Sequence, residues 1–222
     1  MSAPFVRPYD HGRDFQNGLH VFFKTIEPTL DLEPIRTIGS YLWYRPYVFL
    51  TPATCFVLDN GEGRAVGYCV GTSNTSIFAE NWRDRFAPSV SLEEVPKPGM
   101  RTENAGMEKE ESRNFRHAVH NAECSSLQPW PQELNKYPAH MHIDILEEYQ
   151  RKGWGSKLIR AFFDAVKRDG ASGVHLGMVR WNTTGSNFYE KIGFERCPLV
   201  LDNGESGEIG VNDVVLTLVK AL

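Results

Sequence analysis

Apolar positions recur at helical spacing in two early stretches of the chain. Phe15, Leu19, Phe22, Phe23 and Ile26 share one face over residues 14–27, a stretch ended by Pro28. Ile35, Ile38, Leu42 and Trp43 repeat the pattern over 33–44. Ahead of them, residues 4–9 predict a short edge strand, because Pro4 and Pro8 lack the N–H that a central ladder needs. Behind them lie two strand-length apolar runs, 54–58 and 65–71. They are joined by Asp59-Asn60-Gly61-Glu62-Gly63, a glycine-rich connector that signals a hairpin.

Residues 72–137 differ. They hold Pro88, Pro96, Pro98, Pro129 and Pro131, an acidic run near 108–111 and little clean periodicity. Compact domains rarely carry so long a structureless stretch. The segment is therefore read as an insertion with short helices near 76–86 and 110–121, lying over a face of the sheet.

Order returns at Pro138. Ala139–Leu146 alternates as a strand does, and Trp154–Arg168 is amphipathic through Leu158, Ile159, Phe162, Phe163 and Val166. Asp169-Gly170 supplies a C-cap glycine. Strand 174–179, helix 182–192, and strands 194–200 and 213–219 follow, the last two joined by a turn that starts at Asp202-Asn203-Gly204. The order is β-α-α-β-β, insertion, β-α-β-α-β-β. That predicts an α/β fold: a mixed sheet with helices on both faces, in one domain over residues 1–222.

Composition narrows the function. Of 222 residues, 41% are apolar and 23% charged, enough for a buried core. A formal charge of −4 opposes non-specific nucleic-acid binding, which needs a basic face to displace counterions. Cys55, Cys69, Cys124 and Cys197 are widely spaced, with no C-x-x-C pair, as packed thiols are. No leader-like run opens the chain, and no stretch nears the roughly 18 apolar residues that span a bilayer. The expectation is a cytoplasmic protein with no membrane partner, a nuclear location staying open.

The most informative run is Gln150-Arg151-Lys152-Gly153-Trp154-Gly155-Ser156, between a strand and a helix. Gly153 and Gly155 permit tight or left-handed backbone and close approach of a ligand. The unpaired N–H groups of the helix's first turn face the same space, with the positive end of its dipole behind them. That is an anion site fit for a pyrophosphate. Arg151 and Lys152 add charge, and Ser156 adds a hydroxyl. The spacing matches neither a Walker A loop nor the dinucleotide fingerprint. Such turns also serve merely to join a strand to a helix.

This Q-x-x-G-x-G pattern after a strand resembles the acetyl-CoA loop of the GNAT superfamily of N-acetyltransferases. A second run, Asn182-Thr183-Thr184-Gly185-Ser186-Asn187-Phe188-Tyr189-Glu190-Lys191-Ile192-Gly193-Phe194, resembles that family's N-x-x-A-x-x-[FL]-Y-x-x-x-G-F helix and turn. Together they cover about 60 residues, in the family's order. Phe78–Trp82, Tyr137–Leu146 and Gly173–Gly177 are similar to the subgroup related to the acetyltransferase-like domain of O-GlcNAcase. No glycoside hydrolase portion accompanies them. Glu147 stands where many GNAT members have Pro.

The resemblance implies acetyl-CoA as cosubstrate, held by Gln150–Ser156, by backbone N–H groups around Ile143 and Ile145 where the strand splays from its neighbour, and by Asn182. It implies that the Tyr189 phenol protonates the departing thiolate; otherwise Tyr189 is a packed aromatic beside Phe188. Acetyl transfer also needs the amine neutral, although its pKa in water is about 10.4. His140, His142 and Asp144 share one strand face by period-two alternation. Of these, Asp144 and His142 are favoured for proton removal, with Asp144 fixing a tautomer.

Two other readings remain. The H-x-H-x-D face would suit a zinc hydrolase, and a non-catalytic acetyl-CoA-binding or interaction module would retain the fold without chemistry. The leading expectation is an N-acetyltransferase of a primary amine, with no resident metal. An amino sugar such as glucosamine is the first candidate acceptor, suggested only by the sugar-linked relatives. Arylalkylamines, polyamines and a protein lysine remain open, as does a homodimer. Helices 14–27 and 33–44 and the insertion would form the acceptor pocket, lined by Trp43, Tyr44 and Arg45.

Overall fold

The computed structural model describes residues 2–121, 135–197 and 215–222. Seven strands form one sheet: β1 (Phe5–Pro8), β2 (Phe56–Asp59), β3 (Ala65–Thr72), β4 (Ala139–Ile145), β5 (Gly173–Val179), β6 (Glu195–Arg196) and β7 (Val215–Ala221). Their order across the sheet is β1-β2-β3-β4-β5-β7-β6. Every neighbouring pair is antiparallel except β4 and β5, which run parallel. The mixed α/β architecture read from the sequence is the one observed.

The helices are α1 (His11–Thr25), α2 (Ile35–Trp43), α3 (Arg45–Leu50), α4 (Thr75–Asn81), α5 (Glu110–His120), α6 (Trp154–Arg168) and α7 (Thr183–Lys191). Asp10 caps α1 by accepting from Gly12 N–H, and Asn74 caps α4 through Ile77 N–H. α6 buries Leu158, Ile159, Phe162, Ala165 and Val166, the stripe its periodicity marked. β3 is buried along its whole length, as a central strand covered on both faces must be.

Val48-Phe49-Leu50 belongs to helix α3, entered through Pro46. One local expectation changes. The described part of the 72–137 segment lies largely against the helical layer rather than on the sheet. Phe115 of α5 meets Trp43 edge-on at 5.5 Å, and Trp82 Nε1 donates to Val119 O at 2.9 Å. Arg116, 2% exposed, ties this region together by donating to the carbonyls of Pro96 (2.9 Å), Met107 (3.1 Å), Lys97 (2.9 Å) and Met100 (2.9 Å). The expected turn at 202–204, Cys124 and residues 198–200 of the expected strand 194–200 fall outside the described residues. Cys55, Cys69 and Cys197 are buried free thiols.

Candidate active site

β4 and β5 pair only at Ala139↔Val174 and His140↔His175, although β4 runs on to Ile145 and β5 to Val179. Beyond His140 the two strands diverge. On its other edge β4 stays paired with β3 from His140 to Ile145. Leu146 N–H donates to Val66 O, so the alternation of a strand turns the N–H and C=O of Ile143 and Ile145 to the open edge. The side chain of Gln150 confirms that direction, since its Nε2 reaches Ile145 O at 2.7 Å. The divergence starts nearer the N-terminal end of β4 than the expected 143–146.

The glycine loop stands at the mouth of this opening. Gly153 has φ +81, and a side chain there would meet nothing within 4 Å, so the space over it is open. Arg151 also adopts positive φ, 57°. The first intrahelical bond of α6 runs from Lys157 N–H to Gly153 O at 3.4 Å. Helix geometry therefore leaves the N–H groups of Trp154, Gly155 and Ser156 without intrahelical acceptors. These features fit a diphosphate.

Gly155 has a further reason to be glycine. A Cβ there would lie 3.0 Å from the Phe188 ring, so its absence lets α7 approach α6. Arg151, Lys152 and Gln150 are exposed, whereas Trp154 and Ser156 are half-buried. Lys152 Nζ donates to Glu148 O at 2.7 Å, and Lys157 sits over the Trp154 ring at 4.1 Å. Gln150 thus braces the end of β4, and Lys152 closes its own loop. Asn182 is exposed and caps α7 by accepting from Gly185 N–H at 2.8 Å.

Tyr189 is half-buried, 5.3 Å from Phe188 and 5.6 Å from Phe194 between ring centres. Burial pushes its pKa up, and the nearby charge of Asp144 pushes it further, so the phenol keeps its proton at neutral pH. Asp144 and His142 are each crowded on most sides yet keep a face to solvent. Burial raises Asp144 to about 6, while hydrogen bonds from Tyr68 and Thr25 pull it back. Tyr68 OH reaches Asp144 Oδ2 at 2.5 Å, directly across the β3–β4 ladder. Burial lowers His142 to about 4, so its ring is neutral at pH 7.

Asp144 does not orient His142 as expected. His142 Nε2 meets Tyr47 OH at 3.0 Å, and the same hydroxyl meets His140 Nε2 at 2.8 Å. His140 Nδ1 contacts Thr75 Oγ1 at 2.7 Å. His175 contacts Tyr137 O through Nδ1 at 2.7 Å, an anchoring bond. The H-x-H-x-D face therefore spends both His140 nitrogens on hydroxyls. Among the described residues, no three His, Cys, Asp or Glu converge to hold a metal ion.

Tyr47, Tyr68, Thr75 and Thr25 were not singled out in the sequence. Only Tyr68 left a trace, since an antiparallel register would face it with a β4 residue. Tyr44, expected to line a pocket, packs instead, whereas Trp43 is half-buried between Phe22 and Phe115. Tyr44 is 1% exposed and lies 5.0 Å from the Tyr68 ring, while Arg45 stacks over Tyr41 at 4.1 Å.

Residues 118–196 match the model of the Acetyltransferase (GNAT) domain family. Among solved structures, SsHAT is similar at 28% identity and TM-score 0.79, covering 99% of this chain and 98% of that one. A variant of agmatine N-acetyltransferase is similar at 15% identity and TM-score 0.54, each chain covered in full (100%). A chain of the NatC complex bound to Gag peptide and CoA is similar at 14% identity and TM-score 0.52, covering 100% and 99%. The last two speak to the fold alone.

Proposed function

We propose that this chain, whose residues 118–196 match the Acetyltransferase (GNAT) domain family, is an acyltransferase that uses acetyl-CoA and transfers the acetyl group to a primary amine by direct attack. The observation that carries the proposal is the divergence of β4 and β5 after His140, between the Gly153 loop and Tyr189. Bound there, acetyl-CoA supplies an activated thioester. Trp154, Gly155 and Ser156 N–H groups would hold the pyrophosphate, with Gln150–Gly153 shaping the loop and Asn182 at its far side. The Ile143 and Ile145 N–H groups, held along the open edge of β4, would bind the pantetheine arm and the thioester carbonyl.

Asp144 accepts the proton of the amine. Its pKa near 6 makes it ionised at pH 7 yet close enough to neutrality to exchange protons. His142 assists as a second, neutral acceptor. Tyr189, kept protonated, donates to the departing thiolate. The resemblance to the O-GlcNAcase-related subgroup favours an amino sugar such as glucosamine as acceptor, in a cytoplasmic protein. A non-catalytic acetyl-CoA-binding module is the alternative.

Two measurements decide. Calorimetric titration should show saturable acetyl-CoA binding, and thiol release should accelerate with at least one amine from a panel of amino sugars, polyamines, arylalkylamines and lysine peptides. Binding without thiol release across the panel would favour the module. No binding at millimolar donor would remove the proposal.

A further inference from the structure

A chain of hydrogen bonds behind the strand face runs through groups that the proposed reaction does not use. It begins at Pro138 O, which holds no proton and can only accept. Thr75 Oγ1 donates to that carbonyl at 2.8 Å. With its single proton so committed, the same oxygen must accept from His140 Nδ1–H at 2.7 Å. A neutral His140 protonated on Nδ1 then offers a bare Nε2, to which Tyr47 OH donates across 2.8 Å. The Tyr47 oxygen is left to accept from His142 Nε2–H at 3.0 Å. This is the arrangement in which every one of these contacts has a proton between its two atoms.

Reversing the last two links requires either His140 to carry both protons or Thr75 to turn its proton from Pro138 O to His140 Nδ1, which would leave two oxygens 2.8 Å apart with no proton between them. The His140 cation would be 5% exposed, with both ring nitrogens against hydroxyls rather than a carboxylate. Burial, with His175 and His142 close by, instead holds His140 well below the ordinary histidine range, so the neutral ring stands.

We infer that the Pro138–Thr75–His140–Tyr47 chain fixes His142 as the Nε2–H tautomer, leaving Nδ1 as the ring atom that accepts from the substrate amine. Tyr47, His140 and Thr75 are positioning residues: they act through His142. The role toward the amine rests on the proposed acetyl transfer, whereas the tautomer rests on the hydrogen bonds alone. His142 and Asp144, two residues apart on one strand face, thus present a neutral lone pair and a carboxylate side by side.

Nitrogen-15 NMR of histidine rings in labelled full-length protein reads the tautomer directly. In the wild type, His142 should show an unprotonated Nδ1 and a protonated Nε2. Tyr47→Phe keeps the ring stacked on Phe78 (4.7 Å, 19°) and removes only the hydroxyl. His142 should then lose its single tautomer, and turnover should fall roughly 10- to 100-fold with acetyl-CoA affinity unchanged. Thr75→Val cuts the chain two links away and should also disturb the His142 signals, whereas Thr75→Ser should restore them. Thermal unfolding of each variant reports whether the fold persists. A wild-type His142 protonated on Nδ1 overturns the inference, as would His142 signals unmoved in both Tyr47→Phe and Thr75→Val. The spectra need neither donor nor acceptor. Failure of acetyl transfer would appear instead as absent thiol release with the tautomer intact.

Discussion

The two sides of the β4 strand are built on opposite principles. The side facing the α6 loop is shallow and made of backbone: N–H groups at a helix mouth, a left-handed glycine, and a strand edge freed by divergence from β5. The side facing α1 to α4 is deep and made of side chains, with Asp144, His142, Tyr47, Tyr68 and Thr75 interlocked by hydroxyl and imidazole contacts. A diphosphate is the same in every reaction, so generic amides suffice to hold it. Moving a proton from one particular amine requires tuned groups, and tuning is achieved by burial and specific neighbours. Backbone recognition tolerates sequence change at most positions, whereas a buried side-chain network does not.

The sharpest break of that contrast is Asp144→Asn. Turnover should fall by about 100-fold or more, with acetyl-CoA affinity intact in calorimetry. The wild-type profile should rise with pH through about 6, as Asp144 loses its proton, and level off above. The same raised pKa means that the native state holds this proton more tightly than the unfolded chain does. Its stabilising contribution is therefore present below 3.8 and lost as pH climbs through 6. Asp144→Asn should consequently melt no lower than wild type at pH 8 in calorimetric scans. A drop would recast Asp144 as structural.

Arg116→Met tests the acceptor side's dependence on interlocked side chains. It leaves the carbonyls of Pro96 and Met107, buried, and of Lys97 and Met100, part-buried, without the Arg116 donor. We expect a loss of about 3 kcal/mol in denaturant unfolding, with acetyl-CoA affinity at low temperature little changed. Tyr189→Phe should reduce turnover roughly 10-fold while leaving donor affinity nearly intact; unchanged turnover would return Tyr189 to a packing role. The smallest effect belongs to Gly155→Ala. Its Cβ must displace the Phe188 ring by a few tenths of an ångström, so a loss in donor affinity of only about twofold is expected.

The legibility of the two sides follows the same division. Gly153 and Trp154–Ser156 were legible as a strand-to-helix turn, and Asn182 as a helix cap, because each depends on local backbone geometry that a short run of residues fixes. Helix α6 was read to its ends for the same reason, from Gly153 before it to Gly170 behind. The face of His140, His142 and Asp144 was visible through strand alternation, but its wiring was not. Asp144's expected partnership with His142 gave way to Tyr68, because the β3 register sets Tyr68 directly opposite. Tyr47 reaches across 93 and 95 residues to His140 and His142, a distance that no local pattern encodes. Arg116 likewise resembles any surface arginine on a helix until the 96–107 segment folds around it.

By itself, the sequence determined the order of elements, the glycine turn that opens α6 and the strand face that carries the titratable groups, since each depends on periodicity or on glycine within a few residues. The tertiary structure alone decided where β4 parts from β5, which hydroxyls meet which imidazole nitrogens, and that Tyr44 packs within the fold. Those outcomes depend on surfaces brought together from distant segments, where burial and hydrogen-bond polarity select among partners that are equivalent along the chain.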